Sequence, residues 1–103
     1  MKREADVKKE VKRILESLGA WYFCPVPTGY GVQGIPDFIV CHYGLFIAIE
    51  TKYGKNKCSK WQTIRLDEIA AHKGLALVIN EENVEGLAPM LNDRVESALP
   101  WQP

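Results

Sequence analysis

Two apolar runs separated by a Tyr-Gly pair, in GIPDFIVCHYGLFIAIETK from Gly34 to Lys52, constrain this chain more than any other feature. Runs rich in Phe, Ile and Val on either side of Tyr43 and Gly44 predict a β-hairpin, with strands over about Asp37 to His42 and Leu45 to Thr51. Both strands are apolar at successive positions, so they belong in the middle of a sheet. The open end of the hairpin is nevertheless charged: Asp37 follows Pro36, and Glu50 and Lys52 close the second strand. Side chains alternate along a strand, which puts Glu50 and Lys52 on the face of Phe46 and Ala48 and leaves Ile47 and Ile49 on the other. A hairpin returns the chain to its start, so Asp37 and Glu50 are brought side by side.

The remaining segments supply the rest of an α/β domain. Val7, Val11, Ile14, Leu15 and Leu18 form one apolar stripe of a helix over about Lys2 to Leu18, closed by Gly19. AWYFCP is a short strand stopped by Pro25 and Pro27. Val26 to Pro36 holds three glycines and two prolines and is a loop long enough to be functional. After a Lys-rich loop, Ser59 is the N-cap of a helix running to about His72 and closed by Gly74. LALVIN is a fourth buried strand, and Val84 to Ala98 is a last helix interrupted by Pro89. The expected order is α-β-β-β-α-β with a C-terminal helix, and 103 residues are expected to form one domain over 1–103.

Composition removes several classes of function. No apolar run reaches the roughly 18 to 20 residues that span a bilayer, and MKREADVKKEVKR is too charged for a signal peptide, so a cytoplasmic location and no membrane partner are expected. Three cysteines without a CxxC pair support neither a disulfide framework nor a zinc site, and two of them are expected to fill core positions. The net charge is 0, but residues 1 to 73 carry 12 Lys and Arg against 8 acids, while residues 74 to 103 carry 1 against 5. Charge segregated in this way leaves a basic surface for an anionic partner.

Two carboxylates converging at a strand end repel each other and resist desolvation. A hard divalent cation removes both penalties, since Mg²⁺ takes one or two carboxylates together with waters and phosphate oxygens. Lys52 would then neutralise charge that builds on a phosphate under attack, so the set suits phosphodiester hydrolysis. Helical geometry places Glu4 inside the apolar stripe of the first helix, and Gln62 lies among apolar neighbours of the second. His42 and His72 are assigned no role.

Asp37 in GIPDFIV, Glu50 and Lys52 in FIAIETK, and SKWQ in the following helix resemble the PD-(D/E)XK nucleases. The chain is similar to the small stand-alone form of their virus-type replication-repair nuclease (VRR-NUC) family over nearly its whole length. The resemblance implies a restriction-endonuclease-like fold with a central mixed sheet flanked by helices. It makes Asp37 and Glu50 metal-binding acids and Lys52 the catalytic lysine, with Gln62 and a helix-one acid completing the site. Glu4 fits that last position, with Asp6 and Glu10 as alternatives; the Thr51 carbonyl is implied as a further metal ligand. The family implies Mg²⁺, with Mn²⁺ able to substitute and no small-molecule cofactor, branched DNA such as four-way junctions as substrate, and a homodimer in a phage or prophage setting.

For contact with DNA, Lys55, Lys57 and Lys60 follow directly on Lys52, ahead of the helix-one cations Lys2, Arg3, Lys8, Lys9, Lys12 and Arg13. Tyr30 and Tyr53 flank the site and are candidates for stacking. Tyr30 to Gly34 and the tail ALPWQP are candidate dimer contacts. The competing readings are a catalytically silent nucleic-acid-binding module and a small α/β protein with an unrelated ion pair.

Overall fold

The computed structural model describes residues 1–97, with side chains through Arg94. The tail proposed for the dimer surface, and Ala98 at the end of the last helix, lie outside the described residues. Helix α1 spans Glu4–Ser17 and buries Val7, Val11, Ile14 and Leu15. It ends where Gly19 N–H bonds the Glu16 carbonyl (3.1 Å) and Ala20 N–H bonds that of Leu15 (3.0 Å), a paired closure that satisfies two terminal carbonyls. Strands β1 (Trp21–Phe23), β2 (Phe38–His42) and β3 (Leu45–Thr51) follow, then α2 (Lys60–Ala71), β4 (Leu75–Ile79), a 3-10 turn (Val84–Gly86) and α3 (Leu87–Ser97).

The sheet order is β1-β2-β3-β4; the first three strands are antiparallel and β4 runs parallel to β3. The hairpin register pairs Phe38 with Ile49 and Val40 with Ile47, so these four side chains share one face. That face packs with Val7, Val11, Ile14 and Leu15 of α1 and with Leu87 and Leu91 of α3. On the opposite face α2 packs against β4 and β3, as a parallel crossover requires. Four strands between helices match the expected α/β architecture, and no helix among the described residues is long and apolar enough to cross a membrane.

Several expectations are corrected. β3 is buried from Ile47 to Thr51, but β2 alternates and is covered on one face only. β4 is an edge strand in which only Ile79 is buried and Val78 is exposed, because β4 has a neighbour on one side alone. Cys24 and Cys41 are exposed and Cys58 is half-buried, so none fills the core; all three are free thiols. The left-handed residue that ends α2 is Lys73 (φ 71°), not Gly74. Gly74 is needed for close packing instead, since a Cβ there would lie 2.7 Å from Ile69 Cγ2. Pro89 interrupts nothing: it sits in the first turn of α3, where its missing N–H costs no helical bond.

Because α2 packs chiefly on β4 and β3, side chains on the β1-β2 half of that face are left exposed. Trp21 opposes Cys41, Phe23 opposes Ile39, and Cys41 opposes Phe46. Trp21 is 63% exposed, and Phe23 and Phe46 are also exposed.

Candidate active site

Asp37 lies one residue before β2, in a bend, and so its carboxylate is free to reach across the end of the sheet. Its Oδ2 accepts from Thr51 N–H (2.9 Å) and from the Thr51 hydroxyl (2.6 Å). In an extended strand the N–H and C=O of one residue point to the same side, which directs the Thr51 carbonyl toward Asp37 as well. Lys52 N–H points the other way, to the Ile79 carbonyl of β4 (2.9 Å). The end of β3 is thereby tied to both neighbours.

Glu50 is 2% exposed. Its Oε2 accepts from Gln62 Nε2 (3.0 Å) and lies 3.4 Å from Lys52 Nζ. Its Oε1 is buried with no hydrogen-bond partner in the protein. Burial first, and the nearby Asp37 carboxylate second, push the Glu50 carboxyl up to about 7 from 4.5, against the pull of Lys52. The acid is buried with one bare oxygen beside a second carboxylate, so its ionised form is disfavoured unless further positive charge reaches that oxygen.

Gln62 holds Glu50 because the start of α2 fixes both ends of its amide. Ser59 Oγ accepts from Gln62 N–H (3.2 Å), and Gln62 Oε1 accepts from Ser59 N–H (2.9 Å), closing a capping box. With its oxygen committed to the cap, the amide has its nitrogen free for Glu50. A single glutamine thus joins helix initiation to carboxylate placement. Cys58, just before the cap, has its thiol pushed up by burial, with Lys52 opposing.

Of the helix-one acids, Glu4 belongs to this neighbourhood. Lys8 Nζ lies 3.7 Å from Glu4 Oε2 and 3.6 Å from Asp37 Oδ1. Asp6 is taken up by Lys2 N–H and Arg3, and Glu10 by Arg13, all on the helix surface. The structure therefore brings together Asp37, Glu50, Thr51, Lys52 and Gln62, with Glu4 at the margin. Sequence reasoning passed over Lys8, grouped with the other cations of α1; the available signal was its position four residues after Glu4, which puts both on one helix face.

The residues considered for DNA contact are spread around this centre. Lys55, Lys57 and Lys60 are exposed, and Tyr30 is 99% exposed on the loop after β1. Tyr53 is half-buried against the core, and its hydroxyl donates to the Met1 carbonyl (3.2 Å). Gly54 N–H anchors the Lys-rich loop to the Glu81 carboxylate (3.0 and 3.1 Å). The loop from Pro25 to Pro36 encloses a cavity of about 480 Å³ that ends at Asp37 and Gln62. Arg65 Nε holds that loop by its Gln33 carbonyl (2.9 Å).

The oxygens at this end of the sheet are hard ones: the bare Glu50 Oε1, Asp37 Oδ1 and, by strand geometry, the Thr51 carbonyl. Among the described residues no group of three or more His, Cys, Asp or Glu side chains is placed to hold a metal ion. Two carboxylates and a carbonyl leave room for waters or phosphate oxygens, which is the coordination habit of Mg²⁺ rather than of a structural metal.

No family model matches the sequence, and no curated protein matches it significantly. Among solved structures, a chain described as a VRR_NUC domain superposes with a TM-score of 0.66 at 19% identity, over 96% of this chain and 100% of that one. The chain therefore has the VRR-NUC fold over nearly its whole length.

Proposed function

We propose that this chain is a divalent-cation-dependent nuclease that hydrolyses phosphodiester bonds in DNA, acting as a homodimer on branched forms such as four-way junctions. The observation that carries the proposal is Glu50: buried, with one oxygen unpartnered, and flanked by Lys52, Gln62 and Asp37. A protein keeps such a group at a cost of stability, and a site that must accept a cation is a reason to keep it. Asp37, Glu50 and the Thr51 carbonyl would hold Mg²⁺ or Mn²⁺, with Glu4 approaching from α1.

When bound, the cation supplies a Lewis acid for a phosphoryl oxygen and lowers the pKa of a coordinated water. The protein's own groups do the rest. Thr51 fixes the rotamer of Asp37 through two hydrogen bonds, and Gln62 fixes that of Glu50. Lys52, largely buried, presents its ammonium beside Glu50, where it neutralises charge on a phosphate as the transition state forms. Lys55, Lys57 and Lys60 carry the backbone attraction that any DNA partner needs.

Incubating the chain with labelled four-way junctions, flaps and linear duplex in Mg²⁺ or Mn²⁺ tests the reading. Metal-dependent nicking is expected, with Lys52→Ala slower by about 10²-fold and its junction affinity nearly unchanged. Binding without cleavage of any DNA in either metal would instead establish a silent binding module.

The homodimer is supported by the open half of the sheet. Trp21, Phe23, Ile39, Cys41 and Phe46 share one apolar face, which a second copy of the chain would cover about a two-fold axis. Light scattering should find a dimer for the wild type and a monomer for Trp21→Glu. A dimeric Trp21→Glu moves the interface elsewhere.

A further inference from the structure

We propose that Lys8 is the built-in counter-ion of the carboxylate site, and that a divalent cation displaces its ammonium from between Asp37 and Glu4 on binding. This rests on the metal-site reading above. The two oxygens of Asp37 differ: Oδ2 already accepts two hydrogen bonds from Thr51, so Oδ1 is the atom left for a metal. Oδ1 is also the atom that Lys8 faces, at 3.6 Å. An ammonium and a divalent cation drawn to one oxygen repel by several kcal/mol at about 4 Å, even with the screening of a protein surface, so the two occupancies exclude each other.

Lys52 is placed differently. It lies at Glu50 Oε2, which it shares with Gln62, and leaves Oε1 open. Lys52 can stay while a cation binds; Lys8 cannot. The helix does not move with it, because Val7 and Val11 on either side are fully buried. Only the side chain of Lys8 has to swing, and it is half-exposed, so its head can return to water along a flexible stem. The resting protein is thus spared two facing, uncompensated acids, at the expense of metal affinity.

The test compares Lys8→Met, which keeps the stem and removes the charge, with Lys12→Met, which removes one charge from the exposed surface of the same helix. By titration calorimetry at fixed ionic strength, Lys8→Met is expected to bind Mn²⁺ about tenfold more tightly than wild type, and Lys12→Met within about twofold. In EDTA, Lys8→Met should melt below wild type, and its melting temperature should rise more on addition of Mn²⁺. Wild type that binds Mn²⁺, with Lys8→Met equal or weaker, overturns the displacement and leaves the nuclease reading standing. Absence of Mn²⁺ binding to both folded proteins overturns the two together.

Discussion

Glu50→Gln is expected to abolish cleavage, by on the order of 10²-fold or more, while making the metal-free protein more stable near neutral pH. The two effects have one cause. The carboxylate is buried with Oε1 bare and stands beside Asp37, so its ionised form is the unfavourable one in the fold. Its carboxyl is pushed up to about 7 from 4.5. Between those values the folded chain holds a proton that the unfolded chain has lost, so stability falls as pH rises through this window and levels off above it. The full difference is worth about 3 kcal/mol, a large share of the stability of a domain of this size.

Denaturation in EDTA between pH 4.5 and 8 should show that decline in the wild type and not in Glu50→Gln. The exposed acids do not obscure it. Asp6 is held below the usual carboxylate range by Lys2 N–H and Glu10 by Arg13, so their contributions are lost only as pH falls further. Addition of Mn²⁺ should flatten the wild-type profile, because a cation favours the ionised acid. A wild type whose stability rises from pH 4.5 to 7 in EDTA would contradict this account of Glu50.

Gly34→Ala is expected to lower the melting temperature by about 10 °C or more, from on the order of 2 to 4 kcal/mol of overpacking and backbone strain. Gly34 has φ 78°, and a Cβ there would lie 2.3 Å from the Trp61 carbonyl carbon and 2.6 Å from Gln62 N. Those atoms are backbone and cannot swing aside. Either the loop lifts away or the first turn of α2 shifts, and that turn carries the capping box and the Gln62 contact to Glu50. Cleavage should therefore fall by at least about tenfold in the fraction that remains folded, since small misplacements at a reacting centre are costly. Thermal melts and initial rates on the same preparation check both parts; a variant with normal melting and normal rate would show that loop and helix are not coupled.

The hairpin was legible because its pattern is local: two apolar runs around Tyr43 and Gly44 admit one pairing, and that pairing brings Asp37 to Glu50. Ser59 as N-cap and Gln62 as a candidate site residue were legible separately. Their union in one side chain was not, because it depends on where α2 lands on the sheet. The same crossover left Trp21, Phe23 and Cys41 exposed, although two of the cysteines were expected to fill the core. Lys8 and Lys12 are alike in sequence and differ only in facing Asp37 or solvent.

By itself the sequence determined the order of the elements, the central hairpin and the acids at its open end, because periodicity and turn chemistry act over a few residues. The tertiary structure alone decided that Glu50 Oε1 is left bare, that Gln62 is turned toward it, and that Lys8 rather than solvent faces Asp37. Those are contacts between α1, the sheet and α2, and they arise only when packing brings segments distant along the chain to the same end of β3.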